Sequence, residues 1–368
     1  RKLNLIQNDQ MPYLGPTGLT YDSGDFELNL EDCIKKANKD NFYKRKEESE
    51  SKGLLRGIGI SVYIEATAGG VPETSKISIN PNGTVDVYTG ALAQGQAHET
   101  TFSQIVADKL DIDIDKINVF QGNSDLLPKG GGTGGSRSSY SAGGAVLAST
   151  LNIIEKSRKK ASDFLEVEEI DIELINGNFT VKGTDKKISI FEIAKLSINN
   201  HSDSDSFSSS DTYTSGGATF PNGCHVVEIE VDPETGFSKI DNYTVVDDFG
   251  VVLNPIVVEG QIHGGIAQGI GQALLEDTIY DETGQLVTGS FMDYCMPRAD
   301  NIPAINISMN SFPCTTNTLG IKGAGEAGTT GATGAVINAL IDALSPLGIT
   351  HIEMPATPQK IWEAINKN

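Results

Sequence analysis

One stretch limits what this chain can build: Gly320-Ile321-Lys322-Gly323-Ala324-Gly325-Glu326-Ala327-Gly328-Thr329-Thr330-Gly331. Glycine lets a backbone approach a neighbour closely and take angles that other residues avoid. A single acidic side chain, Glu326, stands among these glycines, just before Ala335-Val336-Ile337-Asn338-Ala339-Leu340-Ile341, an apolar run of helical character. A carboxylate where a helix begins is favoured in its ionised form by the positive end of the helix dipole. The ordinary reading is a helix start with an acidic first turn. The sharper one is a charged, unobstructed carboxylate presented to something bulky, as a catalytic base would be.

At 368 residues the chain has room for two domains or one large two-lobed unit. Its 28 Lys and Arg against 49 Asp and Glu give a net charge of −21, which repels phosphate backbones and argues against a nucleic-acid partner. Cys33, Cys224, Cys295 and Cys314 are scattered, with no C-x-x-C pair. That argues against a zinc or iron–sulfur site within this chain and against a disulfide scaffold, and predicts buried free thiols in a cytosolic, cytoplasmic protein. No run is long and apolar enough to span a bilayer and no signal peptide is visible, so no membrane partner is expected. The chain opens on Arg1 and its first residues read as mid-protein, which predicts a piece of something longer.

Residues 1–55 read as a connector from a preceding lobe, turn-rich from Asn4 to Asp25 and then a solvated, charged linker helix between Asn29 and Lys52. Residues 56–368 read as the lobe that follows. Arg56 to Ile64 predicts a buried strand, and Lys76 to Asn80 with Thr84 to Gly90 predicts a hairpin turning at Pro81-Asn82-Gly83. Next comes Gln94-Gly95-Gln96-Ala97-His98-Glu99-Thr100, after which Phe102, Ile105, Val106 and Leu110 recur at helical spacing. Side-chain amides at a helix mouth can clamp a ligand through donor and acceptor alike. Capping accounts for one polar residue there, but not for two glutamines and a histidine together, so a ligand is expected.

Lys129-Gly130-Gly131-Gly132-Thr133-Gly134-Gly135-Ser136-Arg137-Ser138-Ser139 follows a strand predicted over Ile117 to Gln121 and precedes a helix from about Ala142 to Leu165. A glycine-rich loop at a helix start offers backbone N–H groups to an anion. No Lys precedes Ser136, so it is not a Walker A loop. The strand, turn and acidic residue do not fall at the offsets of the dinucleotide fingerprint either. A phosphate or pyrophosphate is the expectation, and a flexible loop its rival.

Ile172 to Ile175 and Asn178 to Lys182 predict a small strand pair followed by a short helix. His201 to Gly217, rich in Ser and Asp, reads as a mobile surface loop in which His201 has no assigned role. Cys224 to Val231 and Lys239 to Val246 predict a second hairpin around Asp232-Pro233-Glu234-Thr235-Gly236. Asn254-Pro255 starts a helix carrying Gly260, Gly264, Gly265, Gly269 and Gly271 together with His263 and Gln268. Glycine inside a helix costs about 1 kcal/mol against alanine, so several need a reason. Close packing is the ordinary one, and a large ligand lying along the helix with Gln268 turned towards it is the sharper one. His263 alone reads as a core or surface histidine. Ala304 to Met309 predicts a strand and Pro358 to Ile365 a terminal helix.

Taken in order, these motifs resemble the molybdenum-cofactor domain of the molybdenum hydroxylases, the family of xanthine dehydrogenase, aldehyde oxidase and aerobic carbon monoxide dehydrogenase. The resemblance runs from about Met11 to the C-terminus. It includes Tyr21-Asp22-Ser23-Gly24-Asp25-Phe26, Gln94 to Thr100, Gly135-Ser136-Arg137-Ser138-Ser139 and Phe220-Pro221-Asn222-Gly223-Cys224-His225. Val258 to Gly269 and Gly323-Ala324-Gly325-Glu326-Ala327-Gly328 complete it.

The resemblance implies an α+β fold, with mixed β-sheets flanked by helices, as the second lobe of a two-lobed molybdopterin-binding domain. It implies a molybdenum–molybdopterin cofactor, with the cytosine dinucleotide form among the alternatives, and Fe-S and FAD carried by partner subunits. Glu326 matches the family's catalytic glutamate, which takes a proton from a metal-bound hydroxyl whose oxygen attacks an electron-poor carbon. Hydride then passes to a sulfido ligand of the metal. Gln96 and Gln268 match positions contacting the cofactor or the metal's ligands, and no side chain is expected to ligate the metal itself. Thr133, Ser136, Arg137 and Ser138 match the loop that holds the pterin and its phosphate, and Gly95 and Gly325 give backbone proximity. The sequence departs from the family's Gly-Gln-Gly at Gly95-Gln96-Ala97, where an extra methyl bears on cofactor geometry.

The implied partners are the N-terminal half of the large subunit and the Fe-S and flavin subunits, within a dimer of the complete assembly. Without the substrate-channel lobe that precedes this region in the family, the chain alone is expected to be inactive and to retain little or no cofactor. The implied reaction is oxidative hydroxylation of an aldehyde, an N-heterocycle or carbon monoxide. Two other readings stand beside it, a non-catalytic nucleotide-binding module using the Gly130–Ser136 loop and an assembly module. The intact Glu326 weighs against the second of these.

Overall fold

The computed structural model describes residues 1–127, 129–199 and 207–367, with the backbone alone at 198 and 199. In chain order its elements begin with β1 (Tyr13–Leu14), β2 (Thr20–Tyr21), α1 (Phe26–Lys36), α2 (Phe42–Glu50), β3 (Leu55–Ile64), β4 (Glu73–Ile79) and β5 (Val85–Thr89). There follow α3 (His98–Leu110), β6 (Ile117–Gln121), α4 (Ser138–Leu165), β7 (Ile172–Ile175), β8 (Asn178–Val181), β9 (Lys187–Ser189) and α5 (Ile190–Asn199). The last are β10 (Phe207–Tyr213), β11 (Asn222–Val231), β12 (Ser238–Asp248), α6 (Pro255–Leu274), β13 (Ile305–Asn310), α7 (Ala327–Leu344) and α8 (Pro358–Asn366). The chain divides into two compact units. The first takes Arg1–Ala66, Thr219–Cys314 and Ala324–Asn368, and the second takes Thr67–Ala218 and Thr315–Gly323.

The first unit is organised on β11, buried along nearly its whole length, in a sheet of order β13-β12-β11-β3. Side chains alternate between the two faces of a strand. Cys224 and Val226 meet Leu30 and Cys33 of α1, whereas Val227 belongs to the larger core built with α6 and α7. Helix α7 lies close on the sheet because β3 contributes Gly57 and Gly59. A Cβ at either would collide with the backbone of α7 at Ala335, Ala339 or Ala343. Val336, Leu340 and Leu344 are then fully buried, each contributing about 1.5–3 kcal/mol. Strand β13 runs parallel to β12, and α6 lies between them in sequence.

Residues 1–55 are therefore not a solvated connector: they belong to this unit, and α1 covers one face of its sheet. The charged composition hid an apolar stripe, Phe26, Leu30 and Cys33, which are buried and recur at the spacing of one helix face.

The second unit carries a sheet of order β10-β4-β5-β6, with β5 and β6 parallel and α3 between them in sequence. The 28-residue α4 is tied to β4 by hydrogen bonds from Ser75 Oγ to the Ala145 carbonyl (3.0 Å) and from Ser149 Oγ to the Ser75 carbonyl (3.0 Å). Register places Tyr213 opposite Glu73, Ser75 opposite Thr89 and Thr89 opposite Gln121. Four strand ends thus share one edge, from which the segments 67–72, 90–97, 122–127 and 214–218 extend. A smaller sheet, β7-β8-β9, precedes α5.

The segment 201–217 was expected to be a loop. Its first six residues lie outside the described residues, and Phe207–Tyr213 is β10, paired along its length with β4. Strand pairing runs through backbone groups, so a serine-rich sequence satisfies it at a sheet edge, while Phe207 at its head is buried. The predicted hairpins form as β4–β5 and β11–β12. Helices α3 and α4 begin at His98 and Ser138, earlier than the hydrophobic spacing alone indicates. Cys33, Cys224 and Cys314 are buried free thiols, whereas Cys295 is exposed.

Candidate functional site

In the first unit Glu326 is the N-cap residue of α7, exposed, with Gly325 exposed beside it. Its side chain does not cap the helix. Its carbonyl instead accepts from Thr330, from the backbone N–H at 3.1 Å and from Oγ1 at 3.0 Å. The turn is thereby closed by backbone and threonine, and the carboxylate is left at the positive end of an 18-residue helix.

The glycines of α6 divide into two groups. A Cβ at Gly265 would lie 2.9 Å from the Cα of Gly328, and one at Gly269 would lie 2.6 Å from the Cβ of Ala332. These two exist so that α6 and α7 can touch. Among the described residues Gly260 and Gly264 meet nothing within 4 Å. Gln268 is exposed and held at the first turn of α7, where Thr329 Oγ1 lies 3.2 Å from its Oε1 and 2.9 Å from the Gly265 carbonyl. Its amide nitrogen has no partner among the described residues, so a donor is left for a ligand. His263 is exposed.

In the second unit Ala97 is the N-cap of α3 at φ +54, a left-handed angle, and Gly95 lies at φ +114 with nothing among the described residues within 4 Å of an added Cβ. Alanine in that region costs roughly 1–2 kcal/mol, so the departure from glycine is strained here. Gln96 is partly exposed, and its Oε1 accepts from the backbone N–H of Gln94 while its amide nitrogen has no partner among the described residues. It matches Gln268 in this respect. His98 leaves the expected clamp: it is buried, stacked on Phe102 at 5.1 Å, and burial pushes its pKa below the usual histidine range. Sequence reasoning missed Gln121. It accepts from the Ala93 N–H at 3.0 Å and donates to Glu99 at 2.6 Å, fixing the loop to the sheet edge.

The second loop rises from the same edge, and a Cβ at Gly90 would collide with Gly130. Arg137 turns inward. It donates to the Gly131 carbonyl at 2.5 Å and pairs with Glu73 at 3.4 Å, while Glu73 also accepts from the Gly131 N–H at 3.1 Å. The Glu73 side chain is 1% exposed. No sequence signal singles it out, since the partner loop lies far along the chain. Ser138 Oγ donates to Thr133 Oγ1 at 3.1 Å, and Ser136 takes φ +54. Gly323 lies against Ser136 so tightly that a Cβ there would collide with the serine carbonyl. The first part of the glycine-framed stretch therefore rests on the serine loop within this unit, and the part from Ala324 onward belongs to the first.

Among the described residues Gly132 and Gly134 meet nothing within 4 Å, and the buried Arg137 Nε has no hydrogen-bond partner. An open backbone with adjacent hydroxyls at a helix start suits an anionic group. The carboxylate of Glu73 at the foot of the loop offsets the arginine, which weighs against a bare nucleotide phosphate held there by charge. Among the described residues no group of three His, Cys, Asp or Glu could hold a metal ion, and no helix is long and apolar enough to cross a membrane.

Residues 32–303 match the family model of the molybdopterin cofactor-binding domain. The chain belongs to that family. It is 36% identical to the nicotine 6-hydroxylase large subunit of Paenarthrobacter nicotinovorans, over 99% of this chain and 47% of that one. It matches the structure of the reconstituted CO dehydrogenase from Oligotropha carboxidovorans with TM-score 0.91 and 32% identity, over 100% of this chain and 48% of that one. Quinoline 2-oxidoreductase from Pseudomonas putida 86 matches with TM-score 0.89 and 31% identity, over 99% and 48%. The fold is that of the family's large subunits, α+β with mixed sheets, and the chain spans about half the length of the curated relatives it matches. The family match ends at residue 303, so the head of α7 lies beyond it.

Proposed function

We propose that this chain is the cofactor-binding, base-carrying half of the large subunit of a molybdenum hydroxylase, with Glu326 as the catalytic base. Relatives named for nicotine and quinoline support an N-heterocycle as substrate, and those named for CO dehydrogenase support carbon monoxide. An aldehyde completes the set. The observation that carries the reading is Glu326: exposed, at a helix N-terminus, next to Gly325 and in the helix whose first turn holds Gln268 through Thr329.

When bound, the molybdenum–pterin group supplies the two-electron oxidation of the substrate carbon. Everything else falls to the chain. Thr133, Ser136 and Ser138, with the open backbone at Gly132 and Gly134, hold the pterin and its phosphate, in the simple or the cytosine dinucleotide form. Arg137 keeps that loop in shape through Glu73 and Gly131. Gln96 and Gln268 donate through their free amide nitrogens, and Gly95, Ala97 and Gly325 give backbone proximity. The Glu326 carboxylate accepts the proton that the attacking oxygen gives up, a task that requires it ionised and within hydrogen-bond reach.

Relatives named as a complex subunit and as a large chain support further subunits, and the partners proposed go beyond those names. These are the N-terminal half of the subunit and Fe-S and flavin subunits that take up the electrons, in a cytoplasmic dimeric assembly. The test is Glu326→Gln in the full-length, cofactor-loaded enzyme. Turnover should fall by about 10³-fold, within the range of general-base catalysis, with molybdenum content unchanged. Normal turnover would remove Glu326 from the role.

A further inference from the structure

Beneath the first turns of α7 the sheet carries polar side chains that the proposed function leaves unused. Tyr63, His225, Tyr243 and Asp247 are 7%, 0%, 2% and 0% exposed. Register places Tyr63 opposite Gly223 and Gly223 opposite Asp247. Because residue 223 has no side chain, Asp247 Oδ1 occupies the space and accepts from the Tyr63 hydroxyl at 2.9 Å. Two residues along β11, His225 Nδ1 meets the Tyr243 hydroxyl at 2.7 Å.

Both phenols stay protonated, since burial and then the Asp247 charge push their pKa values up. A Tyr243 hydroxyl that donates to Nδ1 leaves the imidazole proton on Nε2. That atom lies 3.7 Å from Asp247 Oδ1, beyond a hydrogen bond. Among the described residues His225 Nε2 and Asp247 Oδ2 are both buried without a hydrogen-bond partner. An unsatisfied buried polar group is costly, and an apolar core would avoid it, so shape and direction are the reasons left for keeping them. Directly above lies α7: a Cβ at Gly331 would collide with the His225 ring at Nε2. Gly331 follows Glu326 by five residues, about 7.5 Å of helix. The later turns of α7 rest on Gly57 and Gly59 through Ala335, Ala339 and Ala343; towards Glu326, Gly328 packs on α6 at Gly265 and Gly331 packs on this imidazole.

We propose that His225, oriented by the Tyr243 hydroxyl, is a positioning residue that sets the height and direction of the first turns of α7 and thereby the placement of Glu326. The proposal rests on the reading of Glu326 as the base, and its test separates the two. His225→Asn and Tyr243→Phe are made in the full-length, cofactor-loaded enzyme, the second keeping the packing should the first fail to fold. With either variant kcat should fall about tenfold, as expected of a misplaced catalytic group, with KM within about twofold of wild type. Amide exchange at Thr330 and Gly331 should quicken by about tenfold, with the end of α7 still protected. Molybdenum content should not change. Unchanged exchange at those two amides, or exchange rising evenly along α7 and β11 as in general destabilisation, would overturn the proposal. Normal turnover in Glu326→Gln would remove the base alone, leaving the exchange result to decide the positioning.

Discussion

The heads of α4 and α7 are built alike and charged oppositely. Each follows a glycine-rich run, and each has an N-cap residue whose side chain makes no capping hydrogen bond. On α4 that residue is Arg137, and on α7 it is Glu326. A cation at a helix N-terminus opposes the dipole and an anion complements it. Accordingly Arg137 is folded back on the buried Glu73 and the Gly131 carbonyl, while Glu326 stands exposed. The contrast teaches that one geometry serves two purposes. The α4 head withdraws its own charge and leaves hydroxyls and backbone for an incoming anion; the α7 head displays an anion of its own.

The sharpest way to break this contrast is Gly323→Ala, because the added methyl would collide with Ser136. A cost of about 3 kcal/mol is expected, the upper end for overpacking, read as a lower denaturation midpoint. An unchanged midpoint would mean that the serine loop does not need that contact. Glu73→Gln comes next, at about 2 kcal/mol, since the amide cannot satisfy both Arg137 and the Gly131 N–H as the carboxylate does. It should also free the guanidinium and tighten inorganic phosphate binding, measured by calorimetry. Phosphate affinity equal to wild type would show that Glu73 is not what occupies Arg137. The smallest effect belongs to a third helix head. Ala97→Gly should stabilise the protein by about 1 kcal/mol by relieving the left-handed alanine. A loss of stability would show the strain is absent.

The strands that alternate regularly and the turns with strong local chemistry were legible in the sequence. Asp232 to Gly236 turns the β11–β12 hairpin, and Asn254 caps α6 by accepting from the Val257 N–H at 3.1 Å. What escaped depends on partners distant in the chain. The stripe of α1 emerges only against Cys224 and Val226, and β10 is a strand only because β4 offers it an edge. The same holds within the candidate site. The glycine and amide motifs could be read locally, but Glu73, Gln121 and Thr329 become informative only through the groups they meet. Sequence counts His98 with the two glutamines of the expected clamp, yet helix phase turns it into the core beside Phe102.

The most direct test of the central claim is the pH dependence of kcat/KM in the full-length, cofactor-loaded enzyme, wild type beside Glu326→Gln. A general base works only when ionised, so the wild-type rate should fall as pH drops through an acid limb. In Glu326→Gln that limb should vanish and leave a low, flat residual rate. The same acid limb persisting in the glutamine variant would show that the proton goes elsewhere.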